Sequence, residues 1–393
     1  MELRDPMPRQ APADSARKIS VLNFGKYFPP VSGGIEVHTK LLAEFLSGRY
    51  DLTVLVHSAD TRTTVEAMDG YQVIRMATQF KISTQPFSFG MIGHLLKTRY
   101  DVIHLHAPNL WASTLTGMLR GKAKLVITHH ADILGRGMLG ALVVQLYRRV
   151  ARKADLLLLM SMNTFESSVD LAGVAAKIRI VPHAVEPGLF PASPGELLKA
   201  AEIRARLAGS RPTLVFAGRL VPYKGLDVLV RAAPRLGDLR VLVIGTGPER
   251  ASLEAQALAL GVSEKFVFLG NVPESDKNAT LRAGDVFVFP STTAAEAFGI
   301  AQVEAQLCGL PVVTSLLPTG VTDVTRDGVT GLCVPPQDAD ALATAINRLM
   351  ADAPLRQKFG NAGLARAHAN YVPEAVRRKL LAAYDELLVS TAG

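Results

Sequence analysis

The chain has 393 residues, 48% of them hydrophobic and 20% charged, with a formal net charge of +8. That balance describes a well-cored globular protein of about two domains and excludes a disordered one. No run of about 18 uncharged apolar residues occurs, which argues against a transmembrane helix.

Two cysteines, Cys308 and Cys333, cannot make a structural zinc site on their own and read as buried thiols of a reducing cytoplasm. The positive charge is one-sided. Residues 1–195 hold 22 Lys and Arg against 15 Asp and Glu, so the remainder is left with only +1. A basic first half suits an anionic partner there, whether membrane lipid, a phosphorylated acceptor or nucleic acid, although scattered solubilising charge would look the same.

In chain order, residues 1–17 are rich in Pro, Ala and charge, lack the apolar segment of a signal peptide, and read as a disordered tail. Beyond them, short apolar runs alternate with helical patterns to the end of the chain. The first half offers strands at Ile19–Phe24, Leu52–Val56, Val73–Met76, Val102–His106, Leu125–Thr128, Leu156–Met160 and Ile178–Val181. The second offers Thr213–Ala217, Arg240–Ile244, Val267–Leu269, Val286–Phe289 and Pro311–Thr314. Helical patterns such as Val37–Ser47 and Leu226–Leu236 lie between them. Strands alternating with helices predict α/β architecture with parallel, doubly wound sheets. Between the halves, Pro182, Pro187-Gly188, Pro191 and Pro194-Gly195 mark a hinge between a first domain over 18–190 and a second over 191–372. Two such domains facing each other would hold ligands at the carboxyl ends of both sheets.

Several strand ends carry chemistry. After the first strand, Ser32-Gly33-Gly34-Ile35-Glu36 pairs two glycines ahead of a helix, which allows backbone N–H groups to approach a phosphate, though most such pairs are only turns. His104 and His106 lie on the strand Val102–His106, and Thr128-His129-His130-Ala131-Asp132 ends the next. A histidine there suits a hydrogen bond to a substrate hydroxyl better than a metal, because no third and fourth ligands are evident; a structural histidine is equally compatible. Met138–Ala154 is apolar and ends in Arg148, Arg149, Arg152 and Lys153. It suits either an anionic membrane surface or a core helix whose cations match its dipole.

In the second half, Gly218-Arg219 and Lys224-Gly225 follow a strand and precede a helix, placing two cations where they can neutralise a departing diphosphate. The loops at Gly245-Thr246-Gly247 and Gly270-Asn271-Val272-Pro273 can meet a nucleobase through their backbone. Glu296 follows the strand Val286–Phe289 across a short polar loop, and Phe298-Gly299-Ile300 opens a helix that carries Glu304 two turns on. The first carboxylate can accept hydrogen bonds from sugar hydroxyls, the free N–H groups of the helix start can hold phosphate, and the second can bind a ribose diol. An acidic helix start followed by a solvated glutamate is the plainer alternative.

Taken in order, these motifs resemble glycosyltransferase family 4, from about Lys18 to about Leu388. The ordered set is Gly33-Gly34, Asp101–His106, Thr128–Asp132, Val181-Pro182-His183, Gly218-Arg219, Lys224-Gly225, Gly245–Pro248, Glu296–Gly299 with Glu304, and Asp327–Gly331. The resemblance implies the GT-B fold of two Rossmann-like domains facing across a cleft, with a last helix, within 373–393, packing back on the first. It implies that Arg219 and Lys224 bind the donor diphosphate, that Glu296 with the backbone of Phe298, Gly299 and Ile300 holds the donor sugar and β-phosphate, and that Glu304 holds the ribose. Gly33 and Gly34 would close from the opposite domain. His130 would be the active-site histidine, supported by Asp132, and Glu36, His106, His129 and Asp132 would lie on the acceptor side. Ala184-Val185-Glu186 departs from the family's usual Gly, then Val or Ile, then Asp.

The implied activity is retaining, metal-independent and cofactor-free transfer of a hexose from a GDP- or UDP-sugar, with mannose favoured and glucose next. The acceptor would be a lipid-linked or cell-envelope saccharide, met in the cytoplasm at the inner face of an anionic plasma membrane, with no role for nucleic acid. The leaving phosphate would itself take the acceptor proton in a front-face displacement. A sugar-nucleotide epimerase or hydrolase on the same fold, or a non-catalytic protein of polysaccharide assembly, are the alternatives.

Overall fold

A computed structural model of the chain describes residues 17–389, except 32–33, 131, 133–136, 172, 175–176 and 187–192. The tail expected at the N-terminus thus falls, apart from Arg17, outside the described residues, as does Gly33.

The first lobe runs β1 (Ser20–Phe24), α1 (Gly34–Leu46), β2 (Asp51–His57), β3 (Thr64–Met68), β4 (Tyr71–Met76), β5 (Phe80–Ile82) and β6 (Gln85–Phe87). It continues through α2 (Gly90–Lys97), β7 (Val102–Ala107), α3 (Leu110–Leu119), β8 (Lys124–His129), α4 (Gly137–Arg152), β9 (Leu156–Leu159), α5 (Met162–Ser167) and β10 (Ile178–Ile180). The second lobe runs α6 (Pro194–Leu207), β11 (Thr213–Ala217), α7 (Leu226–Ala232), β12 (Arg240–Ile244), α8 (Arg250–Ala259), β13 (Phe266–Gly270), α9 (Glu274–Arg282) and β14 (Val286–Phe289). It ends with α10 (Ile300–Leu307), β15 (Val312–Ser315), α11 (Val321–Val324), β16 (Gly331–Val334), α12 (Ala339–Ala351), α13 (Ala353–Asn370) and α14 (Pro373–Val389).

The first sheet has the order β10-β9-β8-β7-β1-β2-β4-β3, parallel except for the antiparallel edge strand β3. The second is wholly parallel in the order β13-β12-β11-β14-β15-β16. Its central strands are buried along their whole length, as helices on both faces require, so they read as unbroken apolar runs rather than alternating ones. Strand order reverses between β1 and β7 in one sheet and between β11 and β14 in the other. At each reversal the crossover helices leave on opposite faces, and the loops beyond the strand ends part to form a crevice.

The described strands beyond those expected are informative. β3 is exposed at nearly every residue and β5 at all three, so neither carries an apolar signature. The helix expected over Leu226–Leu236 stops at Ala232 and tightens into a 3-10 turn over Ala233–Arg235, because Pro234 has no N–H to continue the ladder. None of the described helices is long and apolar enough to cross a membrane.

α14 leaves the second lobe and packs against the first. Val376, Leu380, Ala383, Tyr384 and Leu387 join a core with Leu42, Leu46, Val54 and Val126. The Tyr384 hydroxyl lies 2.8 Å from His104 Nδ1, and His104 Nε2 lies 2.7 Å from Thr128 Oγ1, so one fully buried histidine joins the last helix to the centre of the first sheet. Burial lowers the His104 pKa to about 3. The unfolded chain, with a histidine pKa near its ordinary ~6.5, therefore takes up a proton that the folded chain refuses. The stabilisation is complete above that unfolded value and is lost as the pH falls toward the folded one. Acidification from about pH 7 to pH 5 is expected to cost about 2 kcal/mol through this residue alone. Urea midpoints at the two pH values check this, and His104→Gln should flatten the dependence; an equally steep slope in that variant would refute the assignment.

Candidate functional site

The two loops that part at the β11/β14 reversal carry the cations and the first carboxylate. After β11 the chain passes Gly218-Arg219 and tightens into a 3-10 turn over Pro222–Lys224. It then turns at Gly225 in the left-handed conformation, φ 68°, where any Cβ would collide with the carbonyl of Pro290 beyond β14. Thr292 N donates to Tyr223 O at 2.8 Å and fixes the two loops to each other.

Glu296 is buried. One of its carboxylate oxygens accepts from both Lys224 Nζ and Ser291 Oγ, the latter at 3.1 Å. The Lys224 ammonium also sits 5.0 Å from the Phe289 ring centre and 5.4 Å from that of Tyr223, an arrangement that favours a cation.

Beside this pair is a hollow of about 280 Å³, lined by Arg219, Thr246, Asn271, Lys277 and Glu304 among others. Gly218 also lines it, and the Lys224 side chain passes 3.7 Å from where a Cβ on Gly218 would stand. Glu304, on the inner face of α10, accepts from Lys277 Nζ at 2.6 Å. Among the described residues no carboxylate is paired with Arg219. Val272 instead faces a second hollow of about 480 Å³ beyond Asn271, which is the residue common to both.

Gly299 precedes α10 with φ 82°, and a Cβ there would lie 2.5 Å from Gln302 Nε2 and 2.8 Å from the Phe289 ring. Only glycine lets the chain turn so tightly from Glu296 into the helix that starts at Ile300. Phe298 is buried, its ring 5.4 Å from His183 and 5.7 Å from Tyr371.

The first lobe presents histidines rather than charges. His106 Nδ1 lies 3.1 Å from His130 Nε2, and His106 Nε2 lies 2.7 Å from Asn23 Oδ1. His38, on the buried face of α1, has its ring 5.3 Å from that of His130 and 4.6 Å from that of His183. Both of its ring nitrogens lack a described hydrogen-bond partner. Burial first, and repulsion from the neighbouring imidazoles second, hold His38, His106 and His130 well below the usual histidine range, so all three are neutral. Among the described residues no three His, Cys, Asp or Glu side chains are placed to hold a metal ion.

Two expectations need correction here. Asp132 does not support His130: its carboxylate lies 3.0 Å from His129 Nε2 and accepts from Ser168 Oγ at 2.5 Å. Successive residues at a strand end point to opposite faces, so His129 turns to the helical side, where its Nδ1 lies 2.6 Å from the Tyr147 hydroxyl. His130 alone of the two turns to the histidine cluster. Both His129 and Asp132 are therefore engaged beneath the site rather than presented to it. Gly34 opens α1 with nothing within 4 Å of a would-be Cβ, and Glu36 is half-buried in the first turn of that helix, close enough to Lys26 to raise the lysine's pKa against the larger effect of burial.

Lys277, His38 and His183 were not among the candidates drawn from the sequence. Lys277 sits on a polar helix whose composition gives no cue. His38 could have been noticed as a histidine four residues after Gly34, on the face of α1 that otherwise carries Leu42 and Phe45.

Comparison with known proteins bears on this geometry. Residues 32–189 match the family described as Glycosyltransferase Family 4, and residues 200–366 match glycosyl transferases group 1. The chain is 28% identical over 375 residues to the O-antigen chain mannosyltransferase C of Escherichia coli, covering 93% of this chain and 98% of that one. It is 30% identical over 352 residues to the GDP-mannose-dependent alpha-(1-6)-phosphatidylinositol monomannoside mannosyltransferase of Mycolicibacterium smegmatis, covering 86% of this chain and 90% of the relative. Its fold is that of Anabaena Alr3699/HepE, solved in complex with UDP, with a TM-score of 0.75 at 20% identity, covering 94% of this chain and all of that one. The chain belongs to glycosyltransferase family 4: it is a hexosyltransferase of GT-B fold that uses a nucleotide sugar.

Proposed function

We propose that the protein transfers mannose from GDP-mannose to a lipid-linked or cell-envelope saccharide, with retention of the anomeric configuration, at the inner face of the plasma membrane. The observation that carries this reading is the convergence at one strand-order reversal of Arg219, Glu304, Lys224 and Glu296, across from His130. The names of the two mannosyltransferase relatives, one of them GDP-mannose-dependent and acting on a phosphatidylinositol mannoside, support the donor and the kind of acceptor.

In this mechanism Arg219 and Lys224 hold the donor diphosphate and take up the charge that grows on it as the sugar leaves. Glu296 and the N–H groups of Phe298, Gly299 and Ile300 hold the hexose and β-phosphate, Glu304 binds the ribose diol, and Asn271 and Val272 meet the base through their backbone. Gly33 and Gly34 close on the diphosphate from the first lobe. His130, kept neutral, accepts or donates a hydrogen bond at the hexose without competing for the diphosphate, and Glu36 faces the acceptor, while His106, buried with both ring nitrogens taken, acts on the acceptor side only by orienting His130. The acceptor hydroxyl attacks the anomeric carbon on the face the leaving group departs from, and its proton goes to the departing phosphate oxygen. No side chain is asked to act as nucleophile. An epimerase or hydrolase reading gains nothing from these features.

Thermal unfolding against GDP-mannose, UDP-glucose and ADP-glucose tests the donor. A ligand at about 100 times its Kd adds about 2.7 kcal/mol of stability. GDP-mannose is expected to give the largest rise in midpoint, and a larger rise with UDP-glucose would refute the donor assignment. The ion pair gives a second test. Lys224→Met is expected to lower kcat/KM at least ~100-fold, about 3 kcal/mol. It should also destabilise the fold by about 1–3 kcal/mol, because the Glu296 carboxylate is left buried with one hydroxyl donor. The double variant Lys224→Met/Glu296→Gln should recover part of the stability and none of the turnover; near-normal turnover in either would exclude the proposed roles.

A further inference from the structure

Positive charge is concentrated in one segment far more sharply than the halves of the chain suggest. Residues 77–154 contain eleven Lys and Arg against two carboxylates, a surplus of nine where the whole chain has eight. Both carboxylates are occupied: Asp101 by Arg17 and Ser20, Asp132 by His129 and Ser168. From the adjoining chain, Asp155 pairs with Arg120 and Lys124, and Asp170 with Arg148. Lys81, Lys97, Arg149, Arg152 and Lys153 have no carboxylate partner among the described residues.

The same segment carries a run of exposed apolar side chains. The short hairpin of β5 and β6 exposes Phe80 by 44% and Ile82 by 56%, and Phe89, just beyond it, is 49% exposed. These are not loose. Phe80 stacks on Phe87 at 4.8 Å and meets Phe89 at 5.8 Å, and both Phe87 and Phe89 pack on Trp111, at 5.2 and 5.9 Å. Trp111 Nε1 donates to Ser88 O at 3.0 Å, and Leu110 N donates to Gln85 Oε1 at 3.0 Å, which fixes the hairpin to the start of α3.

From Trp111 the patch continues along α3 at helical spacing: Thr114 and Met118 follow by three and seven residues and so share its stripe. Both line an apolar groove of about 230 Å³ against Leu146 and Val150 of α4, with Arg149 and Lys153 at its edge. On α2, Leu96 follows Phe89 by seven residues and is likewise exposed.

We propose that this face, formed by the hairpin, α2 and the α3/α4 groove, docks on an anionic phospholipid bilayer, with Phe80, Ile82 and Phe89 entering the interface and Lys81, Arg149 and Lys153 held at the phosphates. Aromatic side chains over apolar ones, bordered by unpaired cations, are the chemistry of a membrane interface. The face rests on the membrane location proposed above and adds the surface that achieves it. Because Gln85 also contacts Asn109, in the turn after His106, docking there brings a lipid-linked acceptor to the first-lobe side of the cleft.

Trp111 is the only tryptophan in the chain and lies inside the patch, so its emission reports on this face directly. The full chain, without donor or acceptor, is mixed with vesicles of phosphatidylglycerol and phosphatidylcholine in equal parts, and separately with phosphatidylcholine alone. The expected result is co-sedimentation with the anionic vesicles only, accompanied by a blue shift of the emission. Phe80→Ser/Ile82→Ser and Arg149→Glu/Lys153→Glu should each weaken binding at least tenfold while leaving the melting shift given by donor nucleotides unchanged. Co-sedimentation without a blue shift, or undiminished in both variants, would assign the membrane to another surface and overturn this one. No co-sedimentation at all would overturn both this face and the membrane location, leaving the donor reading to stand on its own melting shift. A blue shift with single-stranded RNA but not with vesicles would overturn the lipid assignment.

Discussion

The reversal of strand order between β11 and β14 is the constraint on which the proposed donor site depends. A parallel sheet with right-handed crossovers can be covered on both faces only if successive helices leave on opposite sides of some central strand. At that strand, two neighbouring loops must diverge. Gly218–Gly225 and Pro290–Glu296 are those loops, and every charged group proposed for the donor lies on them or on the helix they lead into. The sequence makes this possible with small means. Gly225 lets one loop lie against the carbonyl of Pro290 in the other, and Gly299 turns the chain sharply into α10. A mostly buried lysine and glutamate then satisfy each other, backed by one serine hydroxyl and two aromatic faces.

The two lobes divide the chemistry by charge. The second offers fixed ions: Arg219, Lys277 and Glu304 line the hollow, and the Lys224–Glu296 pair lies beside it. The first offers His38, His106, His130 and His183, which burial keeps uncharged. A neutral imidazole can give or take a hydrogen bond with little long-range field, whereas an imidazolium beside the diphosphate would be a competing cation. The division also explains why Asn23 lies at the far end of the His106–His130 pair. Its amide oxygen is an acceptor without charge, so it can orient the ring without drawing a proton onto it, as a carboxylate would.

Much of this could be read from residues alone, and the limits have physical causes. β11 and β14 are buried on both faces, so Thr213–Ala217 and Val286–Phe289 stand out as apolar runs, and the charged residues just past their ends follow at once. β3 and β5 have no buried face and leave no pattern. Pairing among side chains was less accessible. That Lys224 meets Glu296 across 72 positions, or that Lys277 meets Glu304, depends on which strands are neighbours. The misplaced support for His130 came from reading Thr128–Asp132 as one cluster, when alternation along the strand sends His129 and His130 to different sides. His38 was passed over because a single histidine within an apolar helix face looks like core; only the fold shows that the core at that point is the floor of the cleft.

The way α14 returns to the first lobe has a further consequence. The polypeptide passes between the lobes twice, once after β10 and again just before Pro373, and the two passages are joined where Val185 N donates to Tyr371 O at 2.7 Å. A single tether would permit swivelling about any direction, but two tethers tied at one place leave a preferred axis. Any bending between the lobes would then pivot where these passages are tied, at Val185 and Tyr371. Phe298, edge-on to both His183 and Tyr371, packs beside that tie, so the residue that leads into α10 is anchored at the pivot and not out on a moving loop.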